Sequence, residues 1–186
     1  MLPSRIEPHV TTLARTANII WAAFMAGPVI YAVMLYVSST LSERAAAPAG
    51  LGLLELAPLL AAGWALIAIY RQRTILSDER LRDEIARPED LAGVRSQLEP
   101  SVSLDGLDPT ELRLLALAGF IHRQSLICWA FSESVAIMGL VVAFLTASPE
   151  TILVYSAAAV ALIAWMRPRL VERLTEAARW PGTHAG

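Results

Sequence analysis

Residues 123–149 read Arg-Gln-Ser-Leu-Ile-Cys-Trp-Ala-Phe-Ser-Glu-Ser-Val-Ala-Ile-Met-Gly-Leu-Val-Val-Ala-Phe-Leu-Thr-Ala-Ser-Pro, and between the ends the one formally charged side chain is Glu133. A run this long and apolar is the length of a membrane-crossing helix. At a rise of roughly 1.5 Å per residue, the ten residues from Arg123 carry Glu133 roughly 15 Å along it, halfway through a hydrocarbon core roughly 30 Å thick. The pattern therefore predicts an acid near the membrane midplane.

An anion there is costly, and an ionisable group inside a membrane is a functional hypothesis by default. A carboxyl that is neutral when buried and charged when wetted can load and unload a proton. The plainer expectation is that neutral Glu133 hydrogen-bonds a neighbouring helix as glue, with Ser132 or Ser134 as local partners.

From Glu133 onward, Glu-Ser-Val-Ala-Ile-Met-Gly-Leu-Val-Val-Ala-Phe resembles the ion-binding helix of subunit c of rotary ATP synthases (the F-type and V-type proteolipids). The resemblance covers this one helix. It implies that Glu133 carries a proton or sodium ion and that Ser134 stands at a position that is a ligand in sodium-binding members; Ser132, on the other side of the acid, is the third candidate ion-binding residue. It also implies a homo-oligomeric ring or cluster. The family often has a tyrosine where this chain has Met138, and its partner helix is a run of alternating glycines that does not occur here.

Composition bounds the class. Of 186 residues 55% are hydrophobic and 17% charged, with mean hydropathy +0.51, too apolar for an ordinary soluble domain. A net charge of −2 lacks the basic excess of a nucleic-acid binder, so no nucleic acid is expected as a partner. Cys128 is the single cysteine, which rules out an intrachain disulfide. His9, His122 and His184 have no ligand-like spacing, and no metal or cofactor is expected.

In chain order, residues 1–73 predict a first hairpin with spans of about 17–37 and 51–70, separated by a loop rich in Ala, Gly and Pro. Pro28 should kink the first span. The second carries Pro58 and ends at Tyr70-Arg71-Gln72-Arg73, an aromatic and arginine boundary. Residues 74–119 predict a cytoplasmic charged loop, with a turn at Pro88, leading into an amphipathic helix. That helix should start at Asp108-Pro109-Thr110-Glu111, which has an N-cap residue, Pro at the first position and Glu at the third. Residues 120–169 predict a second hairpin, with spans of about 124–147 and 151–166 joined by a tight turn at Ser148-Pro149-Glu150. Residues 170–186 form an amphipathic cytoplasmic tail, on the membrane surface or as a short soluble helix.

With those four spans, 14 of the 15 basic residues, all of them arginine, fall on one side and only Arg44 opposite. The positive-inside rule then puts both termini in the cytoplasm, and the expected location is the inner (plasma) membrane of a bacterium. There is also an internal repeat: Ala-Leu-Ile-Ala-Ile-Tyr-Arg-Gln-Arg (65–73) matches Ala-Leu-Ile-Ala-Trp-Met-Arg-Pro-Arg (161–169) at six of nine positions. The expected fold is thus an all-α integral membrane protein of four transmembrane helices in two duplicated hairpins, in contact with the lipid bilayer.

Two functions fit. One is a c-like membrane subunit that binds and releases a proton or sodium ion at Glu133 in an oligomer. The other is a non-transporting structural or assembly subunit of a larger membrane complex, with Glu133 as a packing residue. An enzyme is not expected, because the sequence holds no nucleophile with its base, no metal cluster, no phosphate loop and no paired intramembrane carboxylates.

Overall fold

The computed structural model describes residues 2–41, 56–75, 77, 79, 81, 106–146 and 149–180. Among these residues every element is helical: α1 (Glu7–Leu41), α2 (Ala57–Ile75), α3 (Pro109–Thr146), α4 (Pro149–Trp165) and α5 (Leu170–Ala177). Among the described residues three stretches are long and apolar enough to cross a membrane, Glu7–Ser38, Pro109–Leu145 and Glu150–Ala177, each holding an 18-residue segment whose mean hydropathy is 1.9, 2.0 and 1.5 respectively. The third takes in α4 and α5, and its apolar part is α4. The expected loop after the first span, most of the charged segment with its Pro88 turn, and the start of the turn before Pro149 lie outside the described residues.

The helices are longer than the spans expected from hydropathy. α1 begins at Glu7, ten residues before the expected start at 17, and the amphipathic helix predicted from residue 108 runs without a break into the third span to give the 38 residues of α3. The reason is local. Arg15, Asn18, His122 and Arg123 are polar but do not break a helix, whereas a hydropathy boundary registers polarity alone. At about 1.5 Å per residue, α3 is roughly 57 Å long, well beyond a 30 Å hydrocarbon core.

Two compact units divide the chain: residues 1–19, 71–125 and 168–186 form the first, and residues 20–70 and 126–167 the second. The first is organised around a core of Ile6 and Val10, the α3 residues Leu114, Leu115, Leu117, Ala118 and Ile121, Leu81, and the α5 face of Leu170, Leu174 and Ala177 with Trp180. The 4-3 spacing on α5 puts its three apolar side chains on one face while Glu172, Arg173 and Glu176 stay exposed. The segment forms a short helix whose apolar face is covered within its own unit. Asp108 donates its backbone N–H to Glu111 Oε2 at 3.0 Å, the glutamate half of the cap expected at the start of α3. The Arg5 guanidinium donates to the Gly106 carbonyl just before that cap.

In the second unit two small clusters knit the helices. Ala32 and Leu35 of α1 meet Ala143 of α3 and Ile152 of α4. Ala65 of α2 meets Val135 and Ala136 of α3 and Ala159 of α4. Small side chains let the helices approach, which is what drives association where lipid is as apolar as the protein. Of the apolar stretch of α3, 44% is buried, against 17% for α1 and 22% for the stretch containing α4, so α3 is the helix the others pack on. On α3, where it leaves the first unit, Ser125 turns its hydroxyl back to the Ile121 carbonyl at 2.9 Å.

The internal repeat does not extend to environment. Ala65 is buried and its counterpart Ala161 exposed, while Ile67 is exposed and Ile163 buried. Matching residues thus turn different faces to the interior.

Candidate functional site at Glu133

Glu133 lies on α3 in the second unit, ten residues past Arg123 along an unbroken helix. Its Oε1 accepts a hydrogen bond from the Tyr31 hydroxyl of α1 at 2.9 Å, between residues 102 apart in sequence. Tyr31 is one turn beyond Gly27, and the four-residue spacing puts both on one face of α1. A Cβ at Gly27 would stand 2.5 Å from Glu133 Oε1, 3.5 Å from Cδ and 3.6 Å from the Tyr31 oxygen. The missing side chain of Gly27 is therefore the notch into which the carboxyl fits. Pro28, next in the chain, is fully buried.

The arrangement suits either charge state of the acid. A phenol O–H can donate to a carboxylate or to the carbonyl oxygen of a protonated carboxyl, and the bond to the anion is the stronger. Tyr31 is the one hydrogen-bond donor to Glu133 among the described residues, and the carboxyl is half-buried.

Ser132 and Ser134, the expected neighbours of the acid, bond within their own helix. Fully buried Ser132 donates to the Cys128 carbonyl at 2.9 Å, and half-buried Ser134 donates to the Phe131 carbonyl at 2.6 Å. The structure thus brings Glu133 to Tyr31 and Gly27, neither of which the sequence reading singled out for it. The usable signal was the pairing of a glycine with a tyrosine one turn later inside an apolar run.

Beside the pair, Tyr31, Met34, Leu35 and Ser38 of α1 with Leu140 and Phe144 of α3 line an apolar cleft of about 270 Å³. Ser38 spends its hydroxyl on the Leu35 carbonyl at 2.9 Å, so Tyr31 supplies the polar end of this cleft.

Replacing Gly27 with alanine should drive the carboxyl out of its notch, because Oε1 is the free end of a flexible side chain and yields before the backbone does. The expected cost is the hydrogen bond, about 1 kcal/mol. Tyr31→Phe should then add nothing in the Gly27→Ala background while costing a similar amount alone, in a double-mutant cycle of thermal unfolding in detergent. Additive losses would sink the notch.

Helix content, apolar length and a carboxyl–phenol contact between two helices define the class: an all-helical protein with three candidate membrane-spanning helices, whose exposed apolar surface suits lipid. No known protein family, curated protein or solved structure matches the chain.

Proposed function

We propose that the chain is a four-span integral membrane protein that serves as a non-transporting structural or assembly subunit of a larger membrane complex, with Glu133 holding α3 to α1. α2 supplies the fourth span, since its apolar run ends at Tyr70 and Arg71 as an interfacial boundary does. With α1, α2, α3 and α4 all crossing, the chain forms two hairpins, and the arginine asymmetry puts both termini in the cytoplasm of a bacterium, the protein lying in its inner membrane.

The observation that carries the role is the 2.9 Å Tyr31–Glu133 bond across Gly27. It engages the acid with a second helix of the same chain, which is what helix-locking needs. Interhelical polar bonds in membranes average about 0.6 kcal/mol and reach about 1.7 kcal/mol, enough to fix the register of two helices.

The second reading is ion binding at Glu133 in a c-like oligomer, with Ser132 and Ser134 as further ligands. It is favoured by the half-burial of the carboxyl and by the cleft that ends at Tyr31. In it Ser132 and Ser134 offer hydroxyl lone pairs to the ion while their protons stay on the Cys128 and Phe131 carbonyls.

Glu133→Gln separates the two. Under the structural reading glutamine still accepts from Tyr31, so stability should change by less than about 0.5 kcal/mol. Dicyclohexylcarbodiimide should leave Glu133 of the parent protein unmodified at every pH. Labelling of Glu133 that falls as pH rises or is blocked by sodium, together with ion flux in proteoliposomes that Glu133→Gln abolishes, would overturn the structural reading and establish the carrier.

A further inference from the structure

We propose that exposed arginines at the ends of the apolar segments of α1, α2, α3 and α4 each hold the headgroup phosphate of an anionic phospholipid. This rests on the reading of these helices as membrane spans. The chain passes from one compact unit to the other at 19/20, 70/71, 125/126 and 167/168, once in each of α1, α2 and α3 and once just after α4 ends. Arg15, Arg71, Arg123 and Arg167 lie within five residues of these four points, one per helix, and all four are exposed.

Their immediate neighbours show the same transition. Ile19 lies one turn from Arg15 and is 62% exposed, and Ile127 lies one turn from Arg123 and is 43% exposed. Tyr70, beside Arg71, is 74% exposed, and Trp165, two residues before Arg167, is 60% exposed. At i and i+4 an arginine and an isoleucine share a helix face. That face changes from apolar to cationic within one turn, as the surface of a bilayer does between acyl chain and phosphate. Exposed Tyr and Trp at the change are the aromatic belt of a membrane interface.

The charges are uncompensated locally. No Asp or Glu occurs within six residues of Arg15, Arg71 or Arg123 in the chain, and near Arg167 the acid Glu172 faces Arg169 at 3.9 Å. Arginine offers a planar fork of N–H donors that matches two phosphate oxygens at once. A side chain anchored at the interface by its own helix meets headgroups already concentrated there. Each of the four is a separate headgroup contact on its own helix, and the ligand class is the anionic phospholipid.

The test uses the whole chain, reconstituted in bilayers of phosphatidylcholine with increasing brominated phosphatidylglycerol, or brominated phosphatidylcholine in its place. Tryptophan quenching reports which lipid surrounds the protein, through exposed Trp64 and Trp165. The expected result is a preference for the glycerol lipid of about fivefold per engaged arginine, as one cation at a membrane surface provides. Each of Arg15→Gln, Arg71→Gln, Arg123→Gln and Arg167→Gln should remove part of it and the four together all of it. Arg179→Gln, an exposed arginine away from the crossings, should leave it in place, and so should added inorganic phosphate. Equal quenching by the two lipids overturns the headgroup sites while leaving the membrane spans standing. Quenching by neither overturns both. A preference that Arg179→Gln lowers as much as the others overturns the four-site assignment, and one that inorganic phosphate abolishes reassigns the arginines to the free ion.

Discussion

Trp129→Ala is expected to be among the most destabilising single substitutions in the second unit. Trp129 is the largest of the wholly buried side chains, its ring sits 6.2 Å from that of Phe24 at 50°, and its indole N–H donates to the Met166 carbonyl at 3.1 Å. In a water-soluble core the truncation costs about 3–5 kcal/mol. In a bilayer the transfer part of that figure shrinks, because lipid is itself apolar, but the lost dispersion contacts and hydrogen bond remain. A loss of about 2–4 kcal/mol is the result to look for, by thermal or denaturant unfolding in micelles. Trp129→Phe keeps a ring but drops the donor and part of the indole, so it should lose at least about 1 kcal/mol and still less than alanine does. If alanine costs no more than phenylalanine, the ring is not holding the helices and the argument fails.

Gly139→Ala comes second in size and works by the opposite route. A Cβ at residue 139 would fall inside contact distance of Tyr155 Cβ, with Tyr155 Cγ at 2.8 Å and Cδ2 at 2.9 Å. Unlike the Glu133 carboxyl at Gly27, a Cβ cannot rotate away, since it is fixed to the backbone of α4. The two helices must part, at about 1–3 kcal/mol for an overpacked site. Tyr155→Ala should therefore fail to restore stability in the Gly139→Ala chain, because alanine retains the obstructing atom. Full rescue would mean that the ring, not the backbone approach, sets the spacing of α3 and α4.

Part of this was legible in the sequence. Apolar length alone locates α1, α3 and α4, and the bond from the Asp108 N–H to Glu111 is readable from four residues because both partners are local. The partner of Glu133 was not legible. Sequence proximity points to Ser132 and Ser134, but a helix carries adjacent side chains about 100° apart and offers each serine a nearer acceptor in its own backbone. Tyr31 reaches the acid only because α1 packs on α3, a fact with no local trace. The core of the first unit was hidden for a similar reason. Leu170, Leu174 and Ala177 form an apolar stripe, and a stripe shows that a face will be covered without showing whether lipid or protein covers it.

The end of α4 bears on how the chain is made. Its last turn tightens, with the Met166 N–H reaching the Ile163 carbonyl at 3.1 Å, and two indoles complete it: Trp21 donates to the Ile163 carbonyl at 3.0 Å and Trp129 to that of Met166. Trp21 and Ile163 are 142 residues apart. At about 5–20 residues per second of synthesis, the first donor precedes its acceptor by roughly seven to thirty seconds. Until α4 is made, the Trp21 indole N–H of α1 lacks this acceptor.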